Sequence, residues 1–343
     1  MTDNTTYMFS EIREIPTAIK RLIEHSEDCI IAIANEIKQF NPALFTTVAR
    51  GSSDHACTYL KYAIELSASI PVASIGPSIS SIYNVKLKLD KAVNISISQS
   101  GKSPDIVHLT KTARESKALT IAITNDDQSP LAQVSAHTLN IQAGVERSVP
   151  ATKTFVTSIV AGLLLIAHWQ KDQELLTAIK NLPAQVEDAV NCDWTSLCNH
   201  MKNKENIFIL GRGPAMAIAN EAALKFKEIC PIHAQGFSSA ELMHGPKSIV
   251  NEGFTVLALA SRDASENSLI EVANSLVGQG ANIFITTDKP ANGQKLPFVA
   301  SGHPLTDPLL LIICYYQFIE KLAWTRGLNS DMPPHLKKIT ETV

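Results

Sequence analysis

The chain is 343 residues long, 45% hydrophobic and 18% charged, with a formal net charge of −3 from 30 Lys and Arg against 33 Asp and Glu. That length favours two domains or one duplicated unit with a sizeable core, and the near balance of charge without a basic run argues against a nucleic-acid partner. The polar, acidic start MTDNTTYMFSEIREIP is unlike a signal peptide, and the longest apolar run, 155–169, is too short for a bilayer span, so no membrane partner and a cytoplasmic location are expected.

In chain order, a polar helix is predicted over 12–40. It is followed by the strand-like PALFTTV, an Arg-Gly-Ser-Ser turn and a helix that begins near Asp54. The apolar VNISI then leads through SQSGKSPD into a helix-like segment, and IAITND gives a further strand. The stretch 155–169 reads as a buried helix. After 186 the pattern restarts: NIFIL, a Gly-Arg-Gly turn, a helix through MAIANEAALKFKEI, the strand-like TVLALA and then IFITTD.

The restart is a repeat. Arg50-Gly51 aligns with Arg212-Gly213, Ile70-Pro71 with Cys230-Pro231, Gly76 with Gly236, VNISISQSG with TVLALASRD, and IAITND with IFITTD. The offset stays at 160–162 residues throughout. The expected fold class is therefore α/β, with two tandem doubly wound parallel-sheet subdomains related by internal duplication. Their expected limits are 25–185 and 186–325, with a polar tail over 326–343. The six cysteines lack CxxC spacing and read as reduced, mostly buried thiols.

In doubly wound sheets ligands sit beyond the carboxyl ends of the strands. SQSGKS falls at such an end, before a helix N-terminus whose free N–H groups and dipole favour an anion. The hydroxyls of Ser98, Ser100 and Ser103 add neutral donors, and Gly101 lets the backbone approach closely. The spacing is not that of a P-loop, so a monophosphate on a small molecule is implied rather than a nucleotide triphosphate. The plainer reading makes Ser103 an N-cap and the rest a polar turn. The second copy reads ASRDAS, with Asp263 and no glycine, which suggests that the two halves divide the labour.

In the second half, Glu221, Lys225 and Glu228 share one helix face. That face is either a solvated ion-pair ladder or part of a site, because it leads into a loop holding His233, Glu241 and His244. A carboxylate plus a histidine suits proton shuttling on a phosphorylated carbohydrate. GRGPAM carries Met216 where a dinucleotide fingerprint needs its third glycine. No histidine pair has metal-ligand spacing and no GxSxG follows a strand. No cofactor and no metal are expected.

The stretches ARGSSDHA, SISQSGKSPD, ERSVPATKTF, NEAALKFKEICPIHAQGFSSAELMHGPKS and DMPPHLKKITETV together resemble the tandem sugar isomerase (SIS) domain family, and in particular the isomerase half of glucosamine-6-phosphate synthases. The resemblance implies that Ser98, Gln99, Ser100 and Ser103, with Ser53 after the first strand, bind a sugar phosphate. It makes Glu228 the enolisation base and His244, supplied by the neighbouring subunit of a homodimer, the ring-opening residue. Lys338, with Lys337 as its rival, would reach the sugar carbonyl. Glu221 and Lys225 would line the site, and Val149, Ala151 and Thr152 match a sugar-binding segment.

Three departures stand out. Ala151 occupies a position that is serine in the family, Met243 stands where a lysine precedes the HGP histidine, and the tail reads MPPHLKK. The sequence also starts close to the sugar domain, where the synthases carry a glutaminase domain. The activity expected from that combination is deamination of glucosamine 6-phosphate to fructose 6-phosphate and ammonia. Another aldose–ketose isomerase, a galactosamine-6-phosphate deaminase or a fructosamine-phosphate deglycase would use the same residues. A sugar-phosphate sensor is the non-enzymatic alternative.

Overall fold

In the computed structural model, residues 6–338 are described. The chain forms two compact units, both discontinuous in sequence. One comprises Thr17–Glu146, Lys153–Lys180 and Lys337–Val343, and the other Met1–Pro16, Arg147–Thr152 and Asn181–Leu336. Of the expected tail, 326–336 falls in the second of these units and 337–338 in the first, and 339–343 lie outside the described residues.

The first of these units is built on β1 (Leu44–Val48), β2 (Val72–Ser74), β3 (Ala92–Ile97), β4 (Leu119–Thr124) and β5 (His137–Asn140), ordered β2-β1-β3-β4-β5. The second is built on β6 (Asn206–Gly211), β7 (His233–Ser238), β8 (Thr255–Ala258), β9 (Asn282–Ile285) and β10 (Gln294–Lys295), ordered β10-β9-β8-β6-β7. Every pairing is parallel. Read by position in the repeat, both sheets have the order 2-1-3-4-5, a doubly wound order whose ligand crevice opens where the winding reverses, beside the first and third strands. The duplication extends to single dihedral angles. Gly51 has φ 56°, ψ −134° and Gly213 has φ 58°, ψ −136°, each turning the first strand of its sheet into a helix.

β3 and β4 are buried at every residue, as central parallel strands are when helices cover both faces. Their polar residues are satisfied internally. Asn94 Nδ2 donates to Thr46 Oγ1 at 3.0 Å, and the Ser96 hydroxyl reaches Asn94 Oδ1 at 2.9 Å and Thr110 Oγ1 at 2.7 Å. The apolar run forms the helix Lys153–Gln170, buried throughout 153–167. It packs on the helix Ser52–Ala68 so closely that a Cβ on Gly162 would collide with Leu60. Among the described residues no helix is long and apolar enough to cross a membrane.

The predicted N-terminal helix is two helices, Tyr7–Arg13 and Ile15–Phe40. Pro16 lacks an N–H and its ring clashes with the carbonyl four residues earlier, which separates them. All six cysteines are free. Four are buried, Cys192 is half-buried and Cys29 is exposed.

Candidate active site

In the unit carrying β1–β5, the serine loop leaves the end of β3 and enters the helix Pro104–Glu115. The backbone N–H of Ser98 donates to the Ile123 carbonyl at 3.1 Å, which ties the loop to β4. The N–H of Gly101 then turns back to the carbonyl and hydroxyl oxygens of Ser98, both at 3.2 Å. Gly101 has φ +61°, and a Cβ there would sit 2.5 Å from Ser129 Cβ. Only glycine fits this bend without displacement. Ser103 is the N-cap residue, as the plainer reading held, yet its hydroxyl makes no capping bond. Ser53 lies half-buried in the first turn of the helix that follows Gly51, at the end of the neighbouring strand β1.

The matching loop of the other unit differs chemically. Asp263 accepts bonds there from the Ser265 N–H at 2.7 Å, the Ser265 hydroxyl at 2.6 Å and the Ser261 hydroxyl at 2.7 Å. A carboxylate of the chain itself takes the donors that the first copy leaves available for an anion.

Beside the serine loop lies a cavity of about 560 Å³ lined by Gln99, Ser100, Lys102, Asn125, Glu146 and Lys338, among others. The structure thus brings Lys338 to Gln99 and Ser100, while Lys337 is exposed. Lys338 Nζ is 2.7 Å from Glu146 Oε2. Glu146 also accepts from the N–H (3.1 Å) and hydroxyl (2.7 Å) of Thr154. Sequence reasoning missed Glu146, although it is the only carboxylate in ERSVPATKTF.

In the unit carrying β6–β10, the helix Pro214–Ile229 presents the expected face, but it is no solvated ladder. Lys225 and Glu221 are fully buried, and the Glu228 side chain is 20% exposed. Lys225 Nζ lies 3.1 Å from Glu221 Oε1 and 2.6 Å from Glu228 Oε2. Burial alone would lower the titration point of Lys225, but the two carboxylates and their hydrogen bonds outweigh it and raise it above the ordinary lysine value. The ammonium therefore stays charged and fixes the orientation of Glu228 at the mouth of the helix face. Glu221 also lies 3.4 Å from the Tyr316 hydroxyl.

His244 sits in the turn between the short helix Ser239–Leu242 and the 3₁₀ turn Pro246–Ile249, its N–H bonded to the Glu241 carbonyl at 3.0 Å. It is exposed, and its ring makes no hydrogen bond among the described residues. Gly245, at φ +136°, holds the turn in a conformation that other residues rarely adopt. Val149, Ala151 and Thr152 lie in the Arg147–Thr152 segment of this same unit. The segment is anchored by the Val149 N–H on the Asp331 carbonyl at 3.0 Å and by Glu11, whose carboxylate accepts the N–H groups of Arg147 and Ser148.

A family model described as the SIS domain matches residues 45–168 and 200–293. The glutamine–fructose-6-phosphate aminotransferase (isomerizing) of Sulfurisphaera tokodaii is 31% identical over 97% of this chain and 56% of its own length. The chain therefore spans about half the length of the curated relatives it matches. A solved structure from Silicibacter pomeroyi, provisionally named a phosphosugar isomerase, is 50% identical with a TM-score of 0.93, covering 95% of this chain and all of that one. The C-terminal domain of glucosamine-fructose-6-phosphate aminotransferase from Francisella tularensis is 26% identical with a TM-score of 0.86, over 96% and 99% of the two chains. With the family model matched in both halves of the repeat, the chain belongs to the SIS domain family.

Proposed function

We propose that this chain is a sugar-phosphate enzyme of the aldose–ketose isomerase type and, within that class, a glucosamine-6-phosphate deaminase. The observation that carries the reading is the Glu221–Lys225–Glu228 group. A buried ammonium kept charged by two carboxylates holds one of them, Glu228, at a partly open position, the arrangement a general base needs. The relatives' name supports the finer reading. An enzyme that aminates and isomerises fructose 6-phosphate becomes, run in reverse, one that removes the amine from glucosamine 6-phosphate.

In this reading the hydroxyls of Ser98, Ser100 and Ser103 and the N–H groups of Gln99, Ser100 and Ser103, with Ser53, hold the phosphate and so fix the register of the carbon chain. His244, supplied across a homodimer interface, moves the proton between O5 and O1 that opens the ring. Glu228 removes the proton from C2 of the open-chain aldehyde, giving a C1=C2 enolamine, and returns it to C1. The product is a ketimine at C2. Water adds to it and ammonia leaves, so C2 becomes the ketone of fructose 6-phosphate and no electrons are exchanged with a third reactant. Lys338, held by Glu146, faces the carbonyl end of the open chain, and Val149, Ala151 and Thr152 contact the sugar. The carbonyl at C1 acidifies the C2 proton, so these steps require no cofactor.

The test is isotopic. In deuterated water, wild-type protein should place deuterium at C1 of the ketose in proportion to the exchange of the carried proton with solvent on Glu228 before its return. Glu228→Gln should slow turnover by about a hundred- to ten-thousand-fold while still binding the phosphosugar. Full turnover by Glu228→Gln would remove the base assignment. A Ser98→Ala/Ser100→Ala variant with unchanged KM would remove the phosphate assignment.

A further inference from the structure

Arg50 belongs to the turn between β1 and the Ser53 helix, and its guanidinium is spent on the other loop. Nε and Nη2 donate to the same Asp105 oxygen at 3.1 and 2.8 Å. Asp105 lies at the second position of the Pro104–Glu115 helix, two residues after Ser103, and its carboxylate is fully buried while the Arg50 side chain is 49% exposed. The clamp joins the two loops to which phosphate binding is assigned. β1 and β3 are neighbours in register, Val48 opposite Ser96, so both loops rise from adjacent strand ends. Nη1 makes no bond to Asp105. Asp54 is the other carboxylate near Arg50. Burial raises its titration point, and the charges of His55 and Arg50 oppose that rise.

The repeat supplies an internal comparison. At the 162-residue offset Arg50 corresponds to Arg212 and Asp105 to Asn267. The copy whose loop is filled by its own Asp263 thus has an amide where the clamp needs a carboxylate, and Asn267 accepts a bond from Lys289 instead. The arginine clamp is present in the copy with the open anion loop and absent from the copy that supplies its own anion.

We propose that Arg50 is a phosphate ligand of the serine loop, placed by Asp105, and that it provides the fixed positive charge which hydroxyls and backbone N–H groups lack against a phosphate monoester dianion. This rests on the phosphate reading of the Ser98–Ser103 loop.

The experiment uses the full chain with inorganic phosphate as the probe, read as competitive inhibition and as a thermal shift, alongside KM and kcat for the phosphosugar. Arg50→Gln keeps a donor for Asp105 but removes the charge, whereas Arg50→Lys keeps the charge. Arg50→Gln should weaken phosphate binding and raise KM by about 10- to 100-fold with kcat within a few-fold of wild type, as expected for losing a charge-assisted bond. Arg50→Lys should recover most of the affinity, and the wild-type response to phosphate should fall with ionic strength more steeply than that of Arg50→Gln. Phosphate binding by Arg50→Gln within twofold of wild type would overturn the inference, as would equal damage in both variants with kcat and melting temperature falling together. The control is Ser98→Ala/Ser100→Ala. If it loses phosphate while Arg50→Gln does not, only the Arg50 assignment fails. If neither loses phosphate, the loop reading fails with it.

Discussion

Replacing Gly101 by alanine tests the geometry on which the phosphate loop depends. At φ +61° the residue lies where L side chains are strained, at about 1–3 kcal/mol. The added Cβ would also fall 2.5 Å from Ser129 Cβ and collide with the Ser129 hydroxyl, an overpacking cost of about 1–3 kcal/mol. The sum is about 2–6 kcal/mol. Gly51→Ala separates the two parts, because φ is +56° there but nothing lies within 4 Å of the new Cβ, so only about 1–3 kcal/mol is expected. Ser129 caps the helix Pro130–Val134, its hydroxyl accepting the Ala132 N–H at 3.4 Å. Ser129→Gly should cost only a few tenths of a kcal/mol at that cap and remove both colliding atoms. The double variant Gly101→Ala/Ser129→Gly should therefore regain about 1–3 kcal/mol over Gly101→Ala. Urea unfolding of wild type and the four variants at constant m-value measures these differences. A Gly101→Ala midpoint equivalent to less than about 0.5 kcal/mol of loss, or strict additivity in the double variant, would refute the reasoning.

Three further outcomes follow from the buried charges. Lys225→Met should destabilise the chain by about 3–5 kcal/mol, because it strands the buried Glu221 carboxylate; adding Glu221→Leu should restore most of the loss, as urea midpoints will show. Glu320 titrates above the ordinary carboxyl value, chiefly because burial disfavours its charge, although the Thr6 hydroxyl donates to it at 2.9 Å. The folded chain then holds this proton more tightly than the unfolded chain does, so stability falls as pH rises from the unfolded toward the folded value. Glu320→Gln should accordingly be more stable than wild type at pH 7 and indistinguishable from it below about pH 4, near the ordinary glutamate value, in melts across pH. Lys338→Met should impair turnover of the phosphosugar, and its removal leaves the buried Glu146 without a 2.7 Å ion pair, so melting temperature should fall as well; unchanged kinetics would release Lys338 from the proposed reaction.

The duplication was legible because it is written in residues whose backbone roles are unusual. Arg-Gly recurs at a fixed offset since each glycine adopts a positive φ at the same turn, and the apolar runs of β3 and β8 recur because both are central strands. The loop at 98–103 was legible for the same reason, Gly101 being the one residue that tolerates the bend. Burial was less readable. Glu221, Lys225 and Glu228 at helical spacing fit a solvated ladder equally well, and it is the packing of their helix against β6, β7 and the helix Asp307–Thr325, with Tyr315 bonded to the Ala222 carbonyl at 2.7 Å, that puts Glu221 and Lys225 in the interior. The ion pairs of Glu146 and Arg50 escaped notice because their partners, Lys338 and Asp105, lie 192 and 55 residues away. A lone charge with a distant partner has no local signature. The break before Ile15 was missed because the apolar spacing continues across it, while Pro16 acts through a missing N–H that periodicity does not record.

The central claim is best tested by incubating the purified chain with glucosamine 6-phosphate and following ammonia and fructose 6-phosphate together, with galactosamine 6-phosphate and glucose 6-phosphate in parallel. Equimolar ammonia and fructose 6-phosphate from the gluco amino sugar, lost in Glu228→Gln, is the expected result. Ketose from glucose 6-phosphate without any release of ammonia from the amino sugars would contradict the deaminase reading and leave an isomerase, and no turnover of any of the three would contradict the proposed substrate class.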